Sequence, residues 1–144
     1  MAAVDRFEEL KVWQQARTLS GDIYRLTLAG SFAKDFELRN QINRASGSVM
    51  DNIAEGFGRA NRPEFIQFLG YSSGSATEVK SQLYRALDRQ HITSELFDSY
   101  YARTDQIGKM LYGLIQSLKR SSVRGLKYKV DEEEFTYNLP DTDH

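Results

Sequence analysis

From Phe65 to Ala86, apolar and small residues recur at a strict four-three spacing: Phe65, Leu69, Ser72, Ala76, Val79, Leu83 and Ala86. An α-helix gathers residues spaced in this way onto one face, whereas a strand would scatter them over both. The same rhythm runs through Val12, Ala16, Leu19, Ile23 and Leu26, and through Leu38, Ile42, Ala45 and Val49. It returns in Phe97, Tyr100, Thr104, Ile107, Leu111, Leu114 and Leu118, a seam flanked by Leu96, Tyr101, Met110 and Ile115 and so wider than one contact needs. Four amphipathic helices on short connections predict an all-α fold, an up-down four-helix bundle. The helices are expected over about residues 8–29, 35–57, 62–90 and 93–122.

Local signals place the ends. Asn61 is an N-cap, Pro63 falls in a first turn where its missing N–H costs nothing, and Glu64 completes a box-like spacing. Thr93 caps the fourth helix, and Gly56 and Gly58 are expected to close the second in a left-handed turn. Residues 1–122 then form the bundle and residues 123–144 an acidic tail, expected to be flexible. The stretch Lys127–Val130 alternates as a strand does, and Phe135, Tyr137 and Leu139 alternate too, so a docked extended segment is the other reading of the tail.

Charge divides unevenly. Six of the 20 acidic residues lie after Val130, where no Lys or Arg occurs, so residues 1–130 carry all 19 basic residues and a net +5. Such a body can meet a polyanion. The absence of cysteine excludes disulfides, thiolate metal sites and cysteine nucleophiles. No run approaches about 18 apolar residues, and the first ten residues lack a signal core, which predicts a cytoplasmic protein without membrane contact.

Catalysis finds little footing. A di-metal bundle site needs Glu-x-x-His pairs on facing helices, yet the histidines are His91 and His144, neither preceded by Glu at that distance. Asp51, Glu55 and Arg59 read as a surface charge ladder, and no Ser-His-Asp or lysine nucleophile has a supporting context. Gly70 and Gly74 lie inside a helix, which cannot form a phosphate loop. The expectation is a non-enzymatic protein with no catalytic, cofactor or metal residues.

Other residues point to architecture and contact. Arg44, Ser48 and Asn52, with Glu55 one turn on, form a polar line beside the second seam, expected to fix helix pairing through hydrogen bonds. Gly47, Gly70, Gly74, Gly108 and Gly113 stand within helices, each at a cost of about 1 kcal/mol relative to alanine. Close helix approach offsets such costs, and Gly70 and Gly74 are its candidates, within one chain or between copies. Trp13 is expected to cover one bundle end. Arg59, Arg62, Arg85 and Arg89 are the candidate nucleic-acid contacts, a solvated face being the alternative.

Several motifs in order resemble one bacterial family: Phe7 to Ala16, Gln41-x-x-Arg44-Ala45, Asn52-Ile53-Ala54-Glu55-Gly56-Phe57-Gly58-Arg59, Glu64-Phe65-x-x-Phe68-Leu69, and Gly74-Ser75-Ala76-x-Glu78. Together they are similar to the four-helix-bundle proteins encoded in intervening sequences of ribosomal RNA genes, relatives of the accessory variability determinant of diversity-generating retroelements. The chain departs at Ala33, where the family usually has proline, at Gly47, and in its acidic tail. The resemblance implies a homopentameric ring. In the retroelement branch it also implies a basic surface that engages RNA or DNA and a reverse transcriptase. The expected function is an oligomeric accessory protein that binds nucleic acid through arginines; the alternative is a protein-interaction scaffold with no nucleic-acid contact.

Overall fold

A computed structural model describes residues 2–120 and 128–130. Four helices carry it: α1 (Lys11–Leu26), α2 (Phe36–Gly58), α3 (Arg62–Asp88) and α4 (Ser94–Arg120). Only three residues separate α2 from α3 and five separate α3 from α4, far too few to span helices about 35–40 Å long. Those neighbours must therefore run antiparallel. Each helix packs on the next in sequence, and α1 meets α4 to close the bundle. The α2–α3 interface is the most extensive and the α1–α4 interface the slightest of the four.

The four-three seams fill the core. All seven α3 seam residues are buried, as are Val12, Ala16, Leu19 and Ile23 of α1 and Leu38, Ile42, Ala45 and Val49 of α2. Polar members of the seams find partners: Ser72 Oγ donates to Val49 O at 2.6 Å and Thr104 Oγ1 to Tyr100 O at 2.7 Å. Satisfied in this way, buried hydroxyls cost the core little.

Helix ends depart from expectation in instructive ways. The first helix begins at Lys11, not near residue 8, because Phe7–Glu9 form a 3-10 turn and fully buried Leu10 turns extended into the core. It ends at Leu26; Thr27 is buried, donating to Tyr24 O and accepting from Asn43 Nδ2. Gly56 and Gly58 do not cap α2, which runs through both; the left-handed residue is Ala60, at φ 61°. After α3, Gln90 takes φ 60°, with Gln90 N–H bonded to Leu87 O and His91 N–H to Ala86 O. Those two bonds make a Schellman cap with glutamine where glycine usually sits. Asn61 and Thr93 cap α3 and α4 as the sequence predicts, their side chains accepting from Glu64 N–H and Leu96 N–H.

Two short strands, β1 (Ala2–Val4) and β2 (Tyr128–Val130), pair antiparallel, Ala2 opposite Val130 and Val4 opposite Tyr128. Residues 128–130 of the tail are therefore extended and paired, whereas Lys127, Phe135, Tyr137 and Leu139 lie outside the described residues. The remainder of the expected flexible tail, 123–127 and 131–144, lies outside the described residues, as do residues 121–122.

Candidate functional site

The polar line on α2 divides in two. Asn52 Nδ2 donates to Ser48 O at 2.8 Å and Ser48 Oγ at 2.9 Å, and Ser75 Oγ of α3 reaches Ser48 Oγ at 3.0 Å. The Asn52 bonds lie within α2 and fix Ser48, and the Ser75 bond ties α2 to α3. Arg44 and Glu55 instead face solvent, Glu55 in an exposed ion pair with Arg59 at 3.0 Å.

The four candidate arginines do not form one patch. Arg59 and Arg62 flank the α2–α3 turn, whereas Arg85 and Arg89 lie near the far end of α3, about 35 Å away at 1.5 Å per residue. Arg59 pairs with Glu55 at 3.0 Å, Arg85 with Glu37 at 3.0 Å and Arg89 with Asp35 at 2.8 Å. Arg85 also donates to Gln41 Oε1, and Arg59 lies over the Phe68 ring.

Gly70 and Gly74 are exposed, with nothing within 4 Å of where a Cβ would stand. They are not close-packed against any of the described residues. Gly56 is: a Cβ there would lie 2.6 Å from Phe68 Cβ and 3.2 Å from Phe65 Cδ1, so α2 and α3 meet at this missing side chain. Gly70 and Gly74 sit on an outward line with Thr77, Ser81 and Tyr84, all exposed. Tyr71 and Tyr84 of α3 and Tyr112 of α4 are each at least half exposed. Trp13 is half-buried at the bundle end, edge-on to Phe7, as expected of a cover.

One cluster escapes a reading of the sequence. Ser31 Oγ lies 2.8 Å from His91 Nδ1, and His91 Nε2 lies 2.8 Å from Asp35 Oδ2. The Phe32 ring stacks on the imidazole. Asp35 is occupied twice more, capping α2 through Leu38 N–H and pairing with Arg89. The His91 contact first, then Arg89, hold its carboxyl well below the usual carboxylate range. A carboxylate so committed fastens two connections together; it is a poor partner for an activated serine. Only the Asx cap at Asp35 could have been found in the sequence, since the other contacts join residues 54 to 60 apart.

Among the described residues no group of three or more His, Cys, Asp or Glu side chains could hold a metal ion, and no helix is long and apolar enough to cross a membrane.

Fold and surface together define a four-helix bundle with one continuous apolar core, whose distinctive residues lie at helix contacts, connections and outer faces. The family model for 23S rRNA-intervening sequence proteins matches residues 8–113, and the chain belongs to that family. Four chains of solved structures match it. One is a protein of unknown function from the S23 ribosomal protein family of Bacteroides thetaiotaomicron, 25% identical, covering 73% of this chain and 98% of its own, with a TM-score of 0.67. No curated protein matches.

Proposed function

We propose that this chain is a non-catalytic accessory protein that assembles with copies of itself and binds nucleic acid as the assembled particle. The observation that carries assembly is the open outer line of α3. Gly70 and Gly74 give up about 1 kcal/mol of helix propensity each, and no contact among the described residues offsets it. A second copy approaching along this line, between the exposed tyrosines, would supply the missing close packing. The resemblance implies five copies in a ring. Support for nucleic acid comes from the family's description, which ties these chains to intervening sequences of 23S rRNA, and from the net +5 of residues 1–130. A cytoplasmic setting goes with this reading, since the nucleic acid would be met there.

Light scattering tests assembly: a mass several times 16.5 kDa is expected, and a monomer at micromolar concentration would refute it. Anisotropy with labelled RNA at two salt concentrations tests binding. Phosphate contacts release counterions, so affinity should fall steeply with salt.

A second reading, a scaffold that contacts only proteins, is favoured by the pairing of Arg59, Arg85 and Arg89 with carboxylates. That scaffold would ignore RNA at low salt.

A further inference from the structure

The slight contact between α1 and α4 leaves a groove of about 540 Å3 along the bundle's side. Its floor is apolar, from Leu19 and Ile107, and its walls are amide-rich, from Gln14, Gln15 and Gln106 with Arg103. Across the Gln14–Thr18 ridge of α1 lies a second hollow of about 370 Å3, lined by Trp13, Arg17 and Arg25.

This surface differs from the arginine pairs elsewhere in its charge balance. Arg25 and Arg103 share one carboxylate, each 2.6 Å from a different oxygen of Asp22, which leaves one positive charge unmatched among the described residues. Hydrogen bonds from Arg25 and then Arg103 accordingly hold the Asp22 carboxyl below its ordinary range. Arg17 adds another charge, its guanidinium resting over the Trp13 ring at 5.7 Å and paired with no carboxylate among the described residues. Gly21 bears no side chain, which lets the Arg25 guanidinium fold back to within 3.4 Å of where a Cβ would stand.

We infer that the α1–α4 groove and the adjoining Trp13–Arg17 hollow bind an unpaired nucleic-acid strand. This rests on the reading that the protein binds nucleic acid, and it moves the contact away from Arg59, Arg62, Arg85 and Arg89. A nucleotide presents three chemistries: a flat apolar base face, a base edge of donors and acceptors, and a phosphate. The groove answers each with the Leu19–Ile107 floor, with primary amides that both donate and accept, and with arginines that are not fully neutralised. A duplex hides its base faces and pairs its edges, so the amides and the floor favour a single strand.

The test uses the full chain with fluorescent oligouridine, its DNA counterpart and an RNA duplex, titrated at several salt concentrations. Three variants are compared after circular dichroism and mass confirm their fold and assembly: Arg17→Gln with Arg103→Gln, Gln14→Ala with Gln106→Ala, and Arg59→Gln with Arg62→Gln. The first should lose at least about tenfold in affinity and flatten the salt dependence by about 0.7 per lost phosphate contact. The second should weaken binding several-fold with the salt dependence unchanged, a signature that a general loss of charge would not give. The third should stay within about threefold of wild type. If wild type binds and both groove variants bind as well as it does, the groove assignment is overturned while nucleic-acid binding stands. If wild type binds no probe at low salt, both fall.

Discussion

His91 Nε2 and Asp35 Oδ2 stand 2.8 Å apart across 56 residues of sequence, joining the α1–α2 connection to the α3–α4 connection at one end of the bundle. With its proton on Nε2, the imidazole donates to Asp35 and accepts from Ser31 Oγ–H, so both ring nitrogens are satisfied. A helix cap, an ion pair and an inter-connection bond thus converge on one carboxylate.

Acid should undo that convergence. A carboxyl whose folded pKa lies below its unfolded value of about 3.9 stabilises the fold above that value and loses the contribution as pH falls through the folded one. The melting temperature should hold steady above about pH 5 and fall below about pH 4. Asp22 and Asp105, also lowered, contribute to the same limb. Asp35→Asn keeps a capping oxygen but cannot titrate. It should melt several degrees lower near pH 7 and show a shallower acid decline by thermal circular dichroism. Parallel decline of variant and wild type would remove Asp35 as a source.

The split of the α2 polar line predicts unequal mutants. Asn52→Ala removes two hydrogen bonds from a half-buried amide and should cost about 1–2 kcal/mol. Glu55→Ala removes an ion pair whose side chains are 45% and 54% exposed, and should cost no more than about 0.5 kcal/mol. Urea unfolding at neutral pH measures both. A larger loss at Glu55 would mean that a neighbouring copy buries it.

Glycines should part in the same manner. Gly56→Ala forces a methyl against Phe68 and should cost about 1–3 kcal/mol. Gly74→Glu meets open space in the single chain and should leave each bundle folded while lowering the assembled mass. Retention of full mass and wild-type stability by Gly74→Glu would place the subunit contact elsewhere.

Removal of residues 131–144, which carry −6, should raise affinity for RNA several-fold at low salt and little at high salt. Tethered charge acts at high local concentration, and its field reaches about 10 Å at 0.1 M salt. Anisotropy on the full and shortened chains decides it; equal affinities at low salt would show that the acidic segment does not act on the binding surface.

The fold was legible because burial follows period: a residue such as Leu69 or Val79 is core by its place in a four-three run, whatever its distant neighbours. The glycines were harder, since glycine serves both as a left-handed cap and as a place of close approach. At Gly56 the deciding partner, Phe68, lies on another helix, and the left-handed position passed to Ala60. Arginines were harder still. Sequence displays a cation but not the carboxylate that meets it, and Arg85 finds Glu37 48 residues away. The Ser31–His91–Asp35 line and the shared Asp22 depend on how connections fold and how α1 lies beside α4, neither of which a local pattern encodes.

The pairing of β1 with β2 ties the chain's opening residues to a segment beyond α4. Before folding, closing so long a loop is costly in entropy. Once the helices have packed, only Asp5 to Leu10 on one side and the seven residues after Arg120 on the other separate the strands from the bundle. The ladder is thus a latecomer with only three residues a side, seated on the bundle through the buried Val4 and the contact of β2 with α4. It should open and close many times while the helices stay shut, exchanging its amide protons through local rather than global opening. Helix α1, whose contact with α4 is slight, is thus held near its beginning by a clasp drawn from both ends of the described chain.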